Sequence, residues 1–123
     1  LHMYNIGIEL SDSFENATIK LPCTVEGLKA CNMLNDQKVR TNVTLVFSPE
    51  QAILASIAGA RYVSPFIGRL DDNAFDGLRL IKEIHNLYLP CCQILAASIR
   101  DAKSVSKAFA GLEQFNKDYA ETL

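Results

Sequence analysis

The sequence predicts an α/β fold in which parallel strands alternate with crossover helices. Two observations carry this reading. Strand-like apolar runs and stretches of helical spacing alternate four times, the pattern of successive βα units. The strand-like runs are near-continuous in apolar character, as expected of strands that helices cover. A length of 123 residues fits one domain, taken as residues 1–123.

Residues 3–16 are interrupted by Asn5, Ser11, Asp12, Ser13 and Asn16, so a short turn-rich lead-in that includes a little helix is expected. Leu1 and His2 precede Met3, the expected natural start. Residues 17–21 read as a strand. Thr24 can cap a helix running to about Asp36, because Leu28, Cys31, Met33 and Leu34 lie near one face. Residues 41–47 are β-branched and aromatic and make the clearest strand. Ser48, Pro49 and Gln51 read as a capping box with proline at the first helical position, and Gly59 ends that helix. Residues 61–67 form the third strand, with Pro65 acceptable only where the backbone leaves the ladder. Residues 68–72 read as a polar loop and 75–89 as a helix. Residues 93–97 make the fourth strand. A last helix opens at Asp101, with a kink at Gly111, and runs to about residue 121.

Composition excludes several classes. The 12 basic and 14 acidic residues give a net charge of -2, which offers no footprint for nucleic acid or an anionic membrane. No apolar run approaches the roughly 18 residues of a membrane helix, and no secretory signal is visible, so a cytoplasmic protein is expected. Cys23, Cys31, Cys91 and Cys92 form no CxxC pair, and His2 and His85 complete no ligand set. Reduced, packing thiols and no metal site are expected.

The chemistry-bearing residues recur near strand ends. Lys20 lies inside the first apolar run, just before Pro22. If that strand is buried, removing an ammonium from water is costly. The neutral amine is then favoured, and it is a nucleophile toward carbonyls. The competing reading puts Lys20 on a strand edge with its head in water. Asn42 and Thr44 share one face of the second strand. Ser64 lies on the third strand and Arg69 in the loop after it. Ser98 ends the fourth, and Arg100 follows. In parallel βα folds such groups collect at the carboxyl ends of strands. Arg69, Ser98 and Arg100 form a candidate phosphate clamp, since guanidinium groups bind phosphate bidentately. Each arginine taken singly is more commonly a solvated loop charge.

Two long runs then carry a resemblance. Asn42-Val43-Thr44-Leu45-Val46-Phe47-Ser48 and Tyr62-Val63-Ser64-Pro65-Phe66-Ile67-Gly68-Arg69-Leu70-Asp71-Asp72 resemble the transaldolase family, and most of all its short fructose-6-phosphate-aldolase-like branch. Ile19-Lys20-Leu21-Pro22-Cys23-Thr24-Val25-Glu26-Gly27-Leu28 resembles the family's Schiff-base strand, and Ala96-Ala97-Ser98-Ile99-Arg100 its seventh strand. The resemblance covers about residues 15–110, with its motifs in the family's order.

It implies an enzyme of carbohydrate metabolism, of the pentose phosphate type. That enzyme transfers or cleaves a dihydroxyacetone unit on sugar phosphates through a class I Schiff base. Lys20 would be the nucleophile, and Thr44 would position a water that shuttles protons. Asn42 and Ser64 would contact substrate hydroxyls, while Arg69, Ser98 and Arg100 would bind the phosphate. Neither metal nor organic cofactor is implied, because the imine is itself the electron sink.

The departures are specific. Family members are (β/α)8 TIM barrels about twice as long. Their first three strands supply an aspartate, an asparagine and a glutamate or glutamine, and have no counterpart here. The eighth strand also lacks one, and Leu112-Glu113-Gln114-Phe115-Asn116-Lys117-Asp118-Tyr119 looks like the C-terminal helix joined across a deletion. The expected fold is half a barrel, strands four to seven, with two open edges and an uncovered apolar inner face, completed by oligomerisation. Asp71, Asp72 or a second copy would have to supply the missing acid, and weak or absent turnover is expected. A catalytically degenerate sugar-phosphate-binding or assembly-partner protein is the alternative function. An open flavodoxin-like sheet is the alternative fold, though no Gly-rich loop supports nucleotide binding.

Overall fold

The computed structural model describes residues 1–72, 76–106 and 108. Four strands, β1 (Ile19–Pro22), β2 (Thr41–Val46), β3 (Tyr62–Pro65) and β4 (Gln93–Ile94), form one parallel sheet in that order. The helices are α1 (His2–Ser13), α2 (Val25–Asp36), α3 (Pro49–Ile57), α4 (Ile67–Asp72) and α5 (Gly77–Asn86). The alternating βα order holds, and the sheet corresponds to half of a (β/α)8 barrel. Residues 102–106 are helical, opened by Asp101, whose carboxylate accepts from the Ser104 N–H at 2.7 Å. The expected kink at Gly111 and the helix-like run from Leu112 to Tyr119 lie outside the described residues.

Local chemistry sets the helix starts. The Thr24 hydroxyl accepts from Gly27 N–H at 3.0 Å, and the Asp76 carboxylate accepts from the N–H groups of Leu78 and Arg79. Ser48 accepts from Gln51 N–H at 3.3 Å, with Pro49 at the first helical position. The Gln51 side chain reaches one residue further back than a capping box requires, accepting from Phe47 N–H at 2.7 Å. It thereby ties the end of β2 to the start of α3.

Strand register sorts the side chains. Ile19, Thr41, Leu21, Val43, Val63 and Ile94 share one face of the sheet. Most of them join Ala30 and Leu34 of α2, Ala52 and Ala55 of α3, and Leu80 and Ile84 of α5 in the main core. Thr41 is fully buried on this face, its hydroxyl 3.2 Å from the Cys31 sulfur. All four cysteines are free thiols. Burial raises the Cys31 and Cys92 thiols, the latter to about 11 with a further contribution from Cys31.

Several sequence expectations are corrected. The lead-in is a twelve-residue helix, α1, because Met3, Tyr4, Gly7 and Ile8 form one packed face despite the polar residues between them. Gly7 is the point of contact, since a Cβ there would stand 2.9 Å from Leu34 Cδ1. The segment 68–72 is helical rather than a loop, anchored by Ile67, which is buried with Ile81 and Ala108. The third strand stops at Pro65, on an interior strand at the point where it leaves the sheet, and α5 spans Gly77–Asn86. The fourth strand shrinks to two residues plus a bridge between Phe66 and Ala97.

Two measurements test this core. Leu34→Ala removes a fully buried side chain from the junction of α1, α2 and the sheet and is expected to cost about 2–5 kcal/mol in urea unfolding. The Cys92 thiol ionises near 9.0 when unfolded and near 11 when folded, so its contribution is complete below pH 9. Stability should fall as pH rises from about 9 through about 11, and less so in Cys92→Ala.

Candidate functional site

The opposite face of the sheet is polar. One row across it runs Lys20, Asn42, Tyr62, Gln93, and the next runs Pro22, Thr44, Ser64. Among the described residues the expected apolar inner face is replaced by a mainly polar one: the two-residue strand period sends most apolar residues to the helices and most polar ones here. Asn42, Thr44 and Ser64 are nevertheless only 9%, 7% and 2% exposed. Ser64 Oγ donates to Asn42 Oδ1 at 2.9 Å, joining the two rows. Thr44 Oγ1 is buried with no hydrogen-bond partner among the described residues. A buried hydroxyl in this state is costly unless water or a ligand satisfies it.

Lys20 does not have the burial that its sequence context suggested. It alternates with the buried Ile19 and Leu21 and is exposed, because β1 is an edge strand and nothing among the described residues covers the open face beside it. Its place in the row with Asn42 still aims it over the polar face.

Just beyond Thr44, β2 bulges. Leu45 adopts φ +60 and the register slips, with Thr44 opposite Ser64 but Val46 opposite Pro65. Left-handed backbone at a leucine costs roughly 1–2 kcal/mol, and bulges recur where a strand end is re-aimed at a site. Past the bulge, Phe47 meets Phe66 edge to face at 5.9 Å, and the Arg69 guanidinium lies over the Phe66 ring at 5.6 Å.

The three residues expected to bind phosphate lie about the same strand ends. Gly68 N–H donates to the Ser98 carbonyl at 3.0 Å, and Ile67 N–H to that of Ala97 at 3.0 Å. A Cβ at Gly68 would collide with the Ser98 carbonyl and approach Ser98 Oγ at 3.0 Å and Arg100 Nε at 3.1 Å. Arg69, Ser98 and Arg100 therefore surround one short backbone contact, with Ser98 itself at φ +60. Asp71 and Asp72, the candidate stand-in acids, end α4, and their side chains lie outside what is described.

A family model described as Transaldolase/Fructose-6-phosphate aldolase matches residues 2–120. The chain belongs to this family. It is 43% identical to a probable transaldolase of Caulobacter vibrioides, over 94% of this chain and 66% of the relative. It is 53% identical to one of Desulfosudis oleivorans over 81% and 48%, and 51% identical to one of Flavobacterium psychrophilum over 84% and 49%. The chain thus spans from about half to two thirds of the length of these relatives. The Caulobacter alignment covers 143 positions, more than the chain's 123 residues, so some of that transaldolase faces a gap.

Sequence reasoning missed Tyr62, Gln93, Phe47 and Phe66 around this polar face. The period of two from Ser64 back to Tyr62 could have found the first, whereas the aromatic pair depends on the bulge. Among the described residues no helix is long and apolar enough to cross a membrane.

Gly68→Ala tests this junction. It forces the Gly68–Ser98 contact apart and is expected to cost about 1–3 kcal/mol in thermal unfolding, whereas Ser98→Ala at the same junction should cost less than half as much.

Proposed function

We propose that this chain provides the Schiff-base and phosphate-binding half of a transaldolase-type site acting on sugar phosphates. The observation that supports it is the gathering of Lys20, Asn42, Thr44 and Ser64 on one polar face, with Arg69, Ser98 and Arg100 at its rim, in a member of this family.

The roles follow from chemistry. The unprotonated Lys20 amine adds to the ketone carbonyl of a dihydroxyacetone unit, and water leaves as the imine forms. In cleavage, a base takes the proton of the hydroxyl beside the scissile carbon–carbon bond. The aldehyde departs, and the bonding pair enters the imine to give an enamine. The unpartnered Thr44 hydroxyl is suited to hold the water that carries these protons. The Asn42–Ser64 pair faces the substrate hydroxyls, and the two guanidiniums take the phosphate. The chain acts as a single domain in a homo-oligomer, in a cytoplasmic setting.

A second reading has its own observation. Neither polar row contains an aspartate or glutamate, and Lys20 is exposed. This favours a family member that binds sugar phosphates without turnover.

Incubation with dihydroxyacetone or fructose 6-phosphate, borohydride reduction and mass measurement should give one adduct on Lys20 that is lost in Lys20→Ala. Arg69→Ala with Arg100→Ala should weaken trapping by fructose 6-phosphate about 10–100-fold and leave dihydroxyacetone trapping unchanged. Stabilisation by the phosphate ester without any adduct would establish the second reading instead.

A further inference from the structure

Phe47 and Phe66 reach the polar side of the sheet by an irregular route. On an unbroken β2 the residue two beyond Thr44 would share its face, and that residue is Val46. The left-handed backbone of Leu45 and the register slip after Thr44 turn Val46 into the core instead, fully buried opposite Pro65. The next residue on each strand, Phe47 and Phe66, then falls on the side of Thr44 and Ser64.

Both backbones are fixed there. The Phe66 N–H donates to the Val46 carbonyl at 3.1 Å, and Phe66 bridges to Ala97 on its other side. The Phe47 N–H donates to Gln51 Oε1 at 2.7 Å, and the Gln51 N–H donates to Ser48 Oγ at 3.3 Å. The two rings meet at 5.9 Å and 69°, and the Arg69 guanidinium lies over the Phe66 ring at 5.6 Å. Phe47, Phe66 and Arg69 are thus linked in series, from a residue tied to α3 to a cation at the strand-end rim. The Arg61 guanidinium also lies over a ring, that of Tyr62 at 5.9 Å, but no second ring stands behind it among the described residues.

We propose that Phe47 is a positioning residue: through Phe66 it holds the Arg69 guanidinium at the rim for the phosphate of a sugar phosphate. The inference rests on the proposed function above and concerns the phosphate end of that site. An arginine loses rotamer freedom when it grips an anion, and a guanidinium already ordered loses less. The Phe66 ring attracts the cation without neutralising it as a carboxylate would, so the charge stays available to phosphate. A lone Phe66 ring can turn about its outer torsion, and the Phe47 ring beside it restricts that turn. The bulge at Leu45 is what delivers Phe47 to this place.

The test compares Phe47→Leu, which removes the ring but keeps an apolar side chain, with Phe47→Tyr, which keeps the ring. Circular dichroism should be unchanged in both. Nuclear magnetic relaxation of the arginine Nε–H groups, without ligand, should show Arg69 more mobile in Phe47→Leu, restored in Phe47→Tyr, and Arg61 unaffected in either. Calorimetric titration with fructose 6-phosphate should show binding weakened about 3–10-fold in Phe47→Leu and restored in Phe47→Tyr. In an Arg69→Ala background, Phe47→Leu should weaken binding by less than about twofold more, because the positioned group is gone. Unchanged Arg69 mobility in Phe47→Leu overturns the proposal. So does a loss of binding that is as large in the Arg69→Ala background as in wild type, which would mean a general loosening of the strand ends. A wild-type chain that binds no fructose 6-phosphate overturns the proposed function and this inference together, whereas wild-type binding with an indifferent Phe47→Leu overturns this inference alone.

Discussion

The site depends on the alignment of β2 with both of its neighbours. Lys20 pairs with Asn42 and Pro22 with Thr44 on one side, and Asn42 pairs with Tyr62 and Thr44 with Ser64 on the other. A slip by one residue would send Asn42 and Thr44 into the helix layer and Val43 onto the open face. The fully buried Val43 and Val63 prevent this, because each would lose its contacts with the helices. The Ser64–Asn42 hydrogen bond, buried between rows, adds a polar preference for the same register. The packing of one face thus fixes the chemistry of the other.

At the carboxyl ends of the strands, geometry is held against local preference. Leu45 and Ser98 both adopt left-handed backbone, and Gly68 is pressed onto the Ser98 carbonyl. Strain persists where the surrounding structure over-determines it, and sites are where it gathers. Charge placement follows the helix ends. Lys38, Arg40 and Arg61 line a cleft below the ends of α2 and α3, where cations complement the negative poles of helices. Arg69 lies in the last turn of the short α4, with its guanidinium over the Phe66 ring, and Arg100 precedes the helical residues 102–106.

Much of this was legible because it is local or periodic. The Thr24 and Ser48 caps, the β-branched run of β2 and the alternation of Asn42 with Thr44 each depend on neighbours within four residues. α1 was not legible, since its packed face relies on Gly7 meeting Leu34, a contact 27 positions away that no periodicity announces. The choice between a buried and an exposed Lys20 stayed open in the sequence for a similar reason. Its apolar neighbours signal a strand, but whether a strand's second face is covered is a property of the whole sheet. The bulge at Leu45 has no marker either, because leucine is not a residue that left-handed backbone selects.

The exposed lysine bears on what can cover its face of the sheet. A polar face carrying Lys20, Asn42, Tyr62 and Gln93 is poorly suited to pack directly on a second such sheet, since each flattened polar group would need a new partner. It is better suited to line an interior that holds water and a polar ligand. On the proposed reading, a sugar phosphate that engages the Lys20 amine and the arginine rim binds the folded chain and not the unfolded one. Mass action then gives about 2.7 kcal/mol of stabilisation for ligand at a hundred times its dissociation constant.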